Sequence, residues 1–264
     1  MTVPAGEPVY ELGASNCTGR GLRWTEEQLN EAMAPMATVL FDDEGKANIR
    51  EILGAVADTE FAQEGLQRLL EHTPAIEDWR IGEAIAETYL TDHRACRFPW
   101  PDGRDERKRG SSLPGADLVG FAADANGHRM AFGEVKTSSD QNHPPSTMYG
   151  PTGLKKQLED LRDDQAIRNT LVVYLTHRAR GAPWREEFEN AAARYLANPT
   201  DFLLLGFLVR DVQPHEDDLK ARTDALGSHC PTATEIELLA LYLPTGRIEG
   251  IGTALAAQLP GTAP

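Results

Sequence analysis

The chain has 264 residues, 26 basic against 41 acidic, a formal charge of -15, and is 41% apolar and 25% charged. That composition excludes a chain disordered throughout and suits a globular protein able to bury a sizeable core, while no apolar run approaches the ~18 to 20 residues of a membrane span. The acidity argues against coating nucleic acid by bulk charge, and the opening MTVPAGEPVYELG lacks the basic and apolar regions of a signal peptide, so the expected location is the cytoplasm.

No fixed-period repeat is visible. The first 78 residues read as helical after a polar, Gly-containing lead. One helix is predicted from Trp24 to about Leu40, with Thr25 before Glu26 and Glu27 as its start signal, and two more through Ile49 to Val56 and Phe61 to Leu70; Pro74 closes the block. From Trp79 the pattern alternates. WRIGEAIAETYLTDH reads as a helix, followed by a short extended piece through Arg97 and Phe98 and a charged, Pro- and Gly-bounded loop, PWPDGRDERKRGSSLPG. LVGFAAD and HRMAFGEVK read as strands joined by Asp124-Ala125-Asn126-Gly127, whose Asn-Gly pair is a hairpin signal. After a polar loop, LKKQLEDLRDDQAI has helical spacing, and NTLVVYLTH is a β-branched, nearly continuous apolar run that predicts a buried strand. Beyond residue 180 the prediction is a helix from Trp184 to Leu196, a buried strand DFLLLGFLVRDV, a charged stretch from Pro214 to Arg222, a strand EIELLALYLP and a final Ala- and Leu-rich helix or tail. The expected architecture is a layered α/β domain around a central mixed sheet flanked by helices.

Cys17, Cys96 and Cys230 are far apart and odd in number, fitting neither a disulfide framework nor a paired-cysteine zinc site, and read as reduced thiols. His93 with Cys96, and His229 beside Cys230, supply at most half of a metal site.

The residues that carry chemistry lie in the predicted hairpin. Asp117 opens its first strand, and Glu134 and Lys136 stand near the end of the second, separated by one residue. Alternation along a strand puts Glu134 and Lys136 on one face and Val135 on the other. Pairing across a short turn brings the beginning of one strand to the end of the other, so Asp117 can approach Glu134. Two carboxylates and an amine together suit a hard cation with oxygen ligands. Glu134 follows an apolar run, where an idle carboxylate is costly, and Gly133 is expected to leave room beside it. The plain structural alternative is a strand cap at Asp117 and a surface ion pair between Glu134 and Lys136, worth ~0 to 1 kcal/mol.

Leu113-Pro114-Gly115-Ala116-Asp117 and Glu134-Val135-Lys136, in the order helix, strand, strand, strand, helix, strand over about residues 79 to 177, resemble the PD-(D/E)XK nuclease superfamily. The proline stands three residues before Asp117 rather than beside it, and an E-x-K triplet alone means little in so charged a chain; the element order and the hairpin give it weight. The resemblance implies a restriction-endonuclease-like core within a nuclease-like domain at 79–264, with a helical N-terminal region at 1–78 and a C-terminal extension at 178–264. It implies a Mg2+-dependent nuclease acting on DNA, Mn2+ being a possible substitute, with Glu83, Asp117 and Glu134 as metal ligands and Lys136 as the fourth catalytic residue. Glu83 and Glu87 share a helix face, and Glu83 is favoured because a Gly-Glu pair on this helix recurs in the superfamily. By the same resemblance Gln157, beside Lys155 and Lys156, is a candidate for contacting nucleic acid, with a merely polar helix face as the alternative. His143 lies in the long loop 137 to 153, which suits a lid or a strand contact. Arg104, Arg107, Lys108 and Arg109 form a basic run interleaved with Asp102, Asp105 and Glu106 and read as a mobile loop that can touch DNA. The pattern of RIGEAIAETYL, LPGADLVGF and FGEVKTSS also resembles the nuclease subunits of bacterial anti-phage systems, the HamA type of Hachiman defence in particular. That likeness implies a helicase or ATPase partner protein.

A non-catalytic, partner-docking subunit with the same fold is the alternative. A small-molecule hydrolase finds no support, for the chain has no Gly-x-Ser-x-Gly elbow, phosphate-binding Gly-Lys-Ser/Thr loop or His-Glu-x-x-His. Divided along the chain, residues 1 to 78 carry 5 basic and 15 acidic groups, residues 79 to 180 carry 15 and 14, and residues 181 to 264 carry 6 and 12. The acidity lies outside the candidate core, which predicts a nuclease that needs a metal or a partner to reach its substrate.

Overall fold

The strands are β1 (Glu7–Ala14), β2 (Cys17–Arg23), β3 (Cys96–Trp100), β4 (Leu118–Asp124), β5 (Gly127–Ser138), β6 (Phe202–Arg210) and β7 (Glu235–Tyr242). They form one seven-stranded mixed sheet in the order β1-β2-β7-β6-β5-β4-β3. The structure, a computed structural model, describes residues 2–14, 16–41, 51–71, 76–100 and 115–256. Helices α1 (Glu26–Phe41), α2 (Glu60–Glu71), α3 (Asp78–Arg94), α4 (Leu154–Asp163), α5 (Gln165–Arg178), α6 (Arg185–Ala197), α7 (Lys220–Gly227) and α8 (Ile248–Ala256) complete it. The hairpins β1–β2 and β4–β5 and the pair β3–β4 are antiparallel, whereas β2, β7, β6 and β5 run parallel.

Two apolar layers hold helices to the two faces. Residues of α1, α3 and α8 pack with Leu205, Phe207 and Leu241 on one side, and residues of α4, α5, α6 and α7 pack with Phe132, Leu204 and Leu238 on the other. Every residue of β6 is buried, as a parallel strand covered on both faces requires. The fold is therefore α/β with a central mixed sheet flanked by helices. Sheet and core both draw on residues from either side of position 78. No helix among the described residues is long and apolar enough to cross a membrane.

Two sequence expectations change. The expected polar lead is the β1–β2 hairpin, so the first 78 residues are not helical throughout; among the described ones the helical segments are α1, residues 51–54, α2 and Asp78, where α3 begins. Gly13, Gly19 and Gly21 weaken its strand signal, and it gains its place by pairing in parallel with β7, more than 200 residues away. The apolar run NTLVVYLTH is not a strand but the body of α5. Asp164 sets this outcome: its backbone is extended and its side chain accepts hydrogen bonds from the amides of Ala166 (2.8 Å) and Ile167 (3.4 Å), ending α4 and capping α5. Leu171, Val172 and Leu175 then face the core, while Val173 is 58% exposed, a helical period that the β-branched run concealed. The strand after β5 is β6, reached only through α4, α5 and α6, so the expected helix-strand-strand-strand-helix-strand order changes: three helices stand where one was expected, and the closing strand lies at Phe202–Arg210. The expected charged stretch before residue 222 holds a short 3-10 turn at Glu216–Asp218 and the start of α7. Pro74, the loop after Trp100 with its basic run, and Leu113 and Pro114 lie outside the described residues, as do Ile49 and Arg50.

Candidate functional site

The β4–β5 ladder ends where Leu118 faces Gly133, with the amide of Asp117 bonded to the carbonyl of Gly133 at 3.0 Å. Past that point the Asp117 side chain takes over. Its Oδ2 accepts a hydrogen bond from the amide of Val135 at 2.8 Å, so the sheet opens beside a carboxylate that is itself anchored to the neighbouring strand.

Val135 lies in the apolar layer beneath α3, and strand alternation sends Glu134 and Lys136 to the α4 side. Lys136 Nζ stands 3.5 Å from Glu134 Oε2 and 3.7 Å from Asp117 Oδ2. Asp117, Glu134 and Lys136 are thus brought together. Glu134 is only 1% exposed, yet neither of its carboxylate oxygens has a hydrogen-bond partner. Burial, reinforced by Asp117, holds its pKa well above the usual carboxylate range, and the Lys136 ammonium opposes that rise. The Lys136 ammonium is its charged neighbour at Oε2, while Oε1 has no hydrogen bond in a buried place where a carboxylate oxygen is costly to leave so.

Glu83 enters from α3. Gly82 makes its approach possible: a Cβ there would fall 1.9 Å from Thr137 Oγ1, so only glycine lets the helix lie this close to β5. Glu83 is buried and accepts a hydrogen bond from Arg80 Nη1 at 2.8 Å. Burial and the Asp117 charge push its pKa up to about 7, against the pull of Arg80 and Lys136. Glu87, four residues along the helix, is half-buried.

On the other side α4 lies over Gly206, the register partner of Glu134, where a Cβ would meet Leu158 at 2.8 Å. The expected role of Gly133 is corrected: a Cβ there would turn to Leu118 and Leu205, in the layer beneath α3, so it makes no room for Glu134. Gln157 precedes Leu158 on α4, and its buried Oε1 has no hydrogen-bond partner. Lys155 is half-buried and makes no hydrogen bond or ion pair with the described residues, whereas exposed Lys156 is paired with Asp160 one turn on. His143 is bonded to Asp218, a buried partner that its distance in sequence hid. The thiols of Cys17 and Cys96 are buried and free, with pKa values raised by burial, and His93 bonds to the carbonyl of Val3.

Among the described residues no three His, Cys, Asp or Glu side chains form a ready metal-holding group. The donor set nevertheless fits a hard cation. Asp117 and Glu134 offer oxygen ligands in a desolvated place, neither Glu134 oxygen has a hydrogen bond, and Glu83 can join by leaving Arg80. No protein-family model and no curated protein matches the chain.

Proposed function

We propose that the protein is a Mg2+-dependent nuclease that hydrolyses phosphodiester bonds of DNA, with Mn2+ able to substitute. The observation that carries this reading is the buried Glu134 carboxylate, without a hydrogen bond at either oxygen, beside Asp117 and ion-paired at Oε2 with Lys136 at 3.5 Å. Asp117, Glu134 and Glu83 would hold the cation, which supplies neutralisation of the phosphodiester and activation of the attacking water. Asp117 keeps its orientation through the Val135 amide. Lys136 is held between two carboxylates and offers its ammonium to the charge that builds on the reacting phosphate. Arg80 holds Glu83 in reserve, and Gln157 and Lys155 on α4 border the α4 side of the site as phosphate or base contacts. The observed order α3, β3, β4, β5, α4, α5, α6, β6 keeps the helix and three strands of the restriction-endonuclease-like core that the nuclease superfamily resemblance implies, with two additional helices before the closing strand.

We further propose that it works in the cytoplasm with a helicase-type partner in anti-phage defence. Supporting a partner is the acidic N-terminal segment, where Ile52, Val56 and Phe61 remain exposed, Phe61 at 80%. The test is incubation of the purified chain, alone and with the product of any adjacent helicase gene, with plasmid and linear DNA under Mg2+, Mn2+ or EDTA. Metal-dependent cleavage that disappears in Lys136→Ala supports the reading. Cleavage unchanged in that variant overturns the assignment of this site, and none under any of these conditions overturns the nuclease reading and leaves the partner-docking alternative.

A further inference from the structure

Past Lys136, β5 continues on the same face to Ser138, one pleat of ~7 Å further along, whose register partner is Arg210. Arg210 is fully buried, and its Nη2 donates to the carbonyls of Asp140 (2.6 Å) and Asn142 (3.1 Å), fastening the chain that leaves β5. Its Nε lies 3.7 Å from Oδ2 of Asp218, a carboxylate only 1% exposed. Asp218 Oδ2 accepts a hydrogen bond from the Tyr242 hydroxyl (2.8 Å), which is 2.9 Å from the hydroxyl of Tyr10. The other oxygen, Oδ1, stands 2.8 Å from Nδ1 of His143. The His143 ring is partly exposed and stacks on that of His215, centroids 4.9 Å apart at 25°. Its Nε2 has no partner among the described residues.

The loop does not need this histidine to stay in place. Arg210 already grips two of its carbonyls, and the Asp140 carboxylate accepts hydrogen bonds from the amides of Asn142 and Ser146 at 3.0 Å each. A buried acid that fixes Nδ1 and leaves Nε2 free is instead an arrangement for presenting an imidazole outward.

We propose that His143, held by Asp218 and backed by His215, contacts a phosphate of the bound DNA strand. The proposal rests on the nuclease reading above. Protonated His143 donates from Nε2 while Nδ1 remains with Asp218; the neutral ring, with its proton on Nδ1, has no donor left for a phosphate. The titratable and charged groups around it are Asp218 and His215 on the turn before α7, Asp217 paired with His215 at 3.5 Å, Arg210 of β6, Tyr242 of β7 with Tyr10 of β1 behind it, and Asp140 in its own loop.

The test is the affinity of the full-length chain for a fluorescent DNA oligonucleotide, single-stranded and duplex, with Ca2+ replacing Mg2+, as a function of salt. His143→Gln should weaken binding about tenfold and lower the salt slope by about 1. His143→Lys should restore the slope, a rescue that a purely structural histidine would not show. An affinity and slope unchanged in His143→Gln, or no rescue by His143→Lys, overturns the phosphate contact. Mg2+-dependent cleavage surviving in Lys136→Ala overturns only the assignment of the nuclease site, and wild-type protein that binds no DNA overturns both.

Discussion

Replacing Glu83 with glutamine keeps the shape of the side chain and removes a charge that the fold disfavours. Burial and Asp117 raise its pKa from the ordinary 4.5 to about 7. A carboxyl raised in this way binds more protons folded than unfolded between those two values, so it withdraws stability as pH climbs through that window and withdraws none below it. The rise corresponds to about 3 kcal/mol once the pH exceeds 7. The Arg80 hydrogen bond is already contained in that net effect, since it is one of the influences that limit the rise. Glu83→Gln should therefore match wild type near pH 4.5 and exceed it by about 2 to 3 kcal/mol at pH 8 without divalent ions, raising Tm by about 5 to 10 °C. Urea unfolding of both proteins in EDTA from pH 4.5 to 8 measures the difference directly. A variant less stable than wild type at pH 8, or a difference constant across that range, would refute the electrostatic account of this site.

In the proposed metal site the same groups would set the pH dependence of binding. A cation must displace the protons that the raised pKa values of Glu83 and Glu134 retain, so calorimetric Mg2+ affinity should rise from pH 6 to pH 8, and a flat profile would contradict this. Gly82→Ala should lower stability by about 1 to 3 kcal/mol through the clash with Thr137, and pairing it with Thr137→Ala should recover part of the loss in thermal unfolding. Within α5, Val173→Lys should be nearly neutral in denaturant unfolding while Leu171→Ala costs about 2 to 5 kcal/mol; the reverse ranking would restore the strand. Asp164→Ala should cost about 1 kcal/mol by removing the acceptor for two amides.

The hairpin was legible because its signals are local: an Asn-Gly pair between two alternating runs, with Glu134 and Lys136 forced to one face by the period of a strand. β6 and β7 were legible as continuous apolar runs. The β1–β2 hairpin was not, because glycine-rich strands acquire their meaning only from a partner at the far end of the chain. NTLVVYLTH misled for the opposite reason: its local composition favoured a strand, and a single capping aspartate five residues earlier decided for a helix. The convergence of Asp117 on Val135 and Lys136 follows from the hairpin register, but the Arg80 contact of Glu83 depends on side-chain packing that spacing does not encode. Asp218, Arg210 and Tyr242 carry no motif and become neighbours of His143 only through the register of β5, β6 and β7.

The central claim is that Asp117 and Glu134 share a divalent cation on which phosphodiester cleavage depends. Mn2+ binding followed by electron paramagnetic resonance at pH 8, in wild type, Asp117→Asn and Glu134→Gln, addresses it most directly. The account predicts stoichiometric binding to wild type and a loss of at least tenfold in affinity in either variant. Equal binding by all three proteins, or none by wild type at millimolar Mn2+, would contradict it.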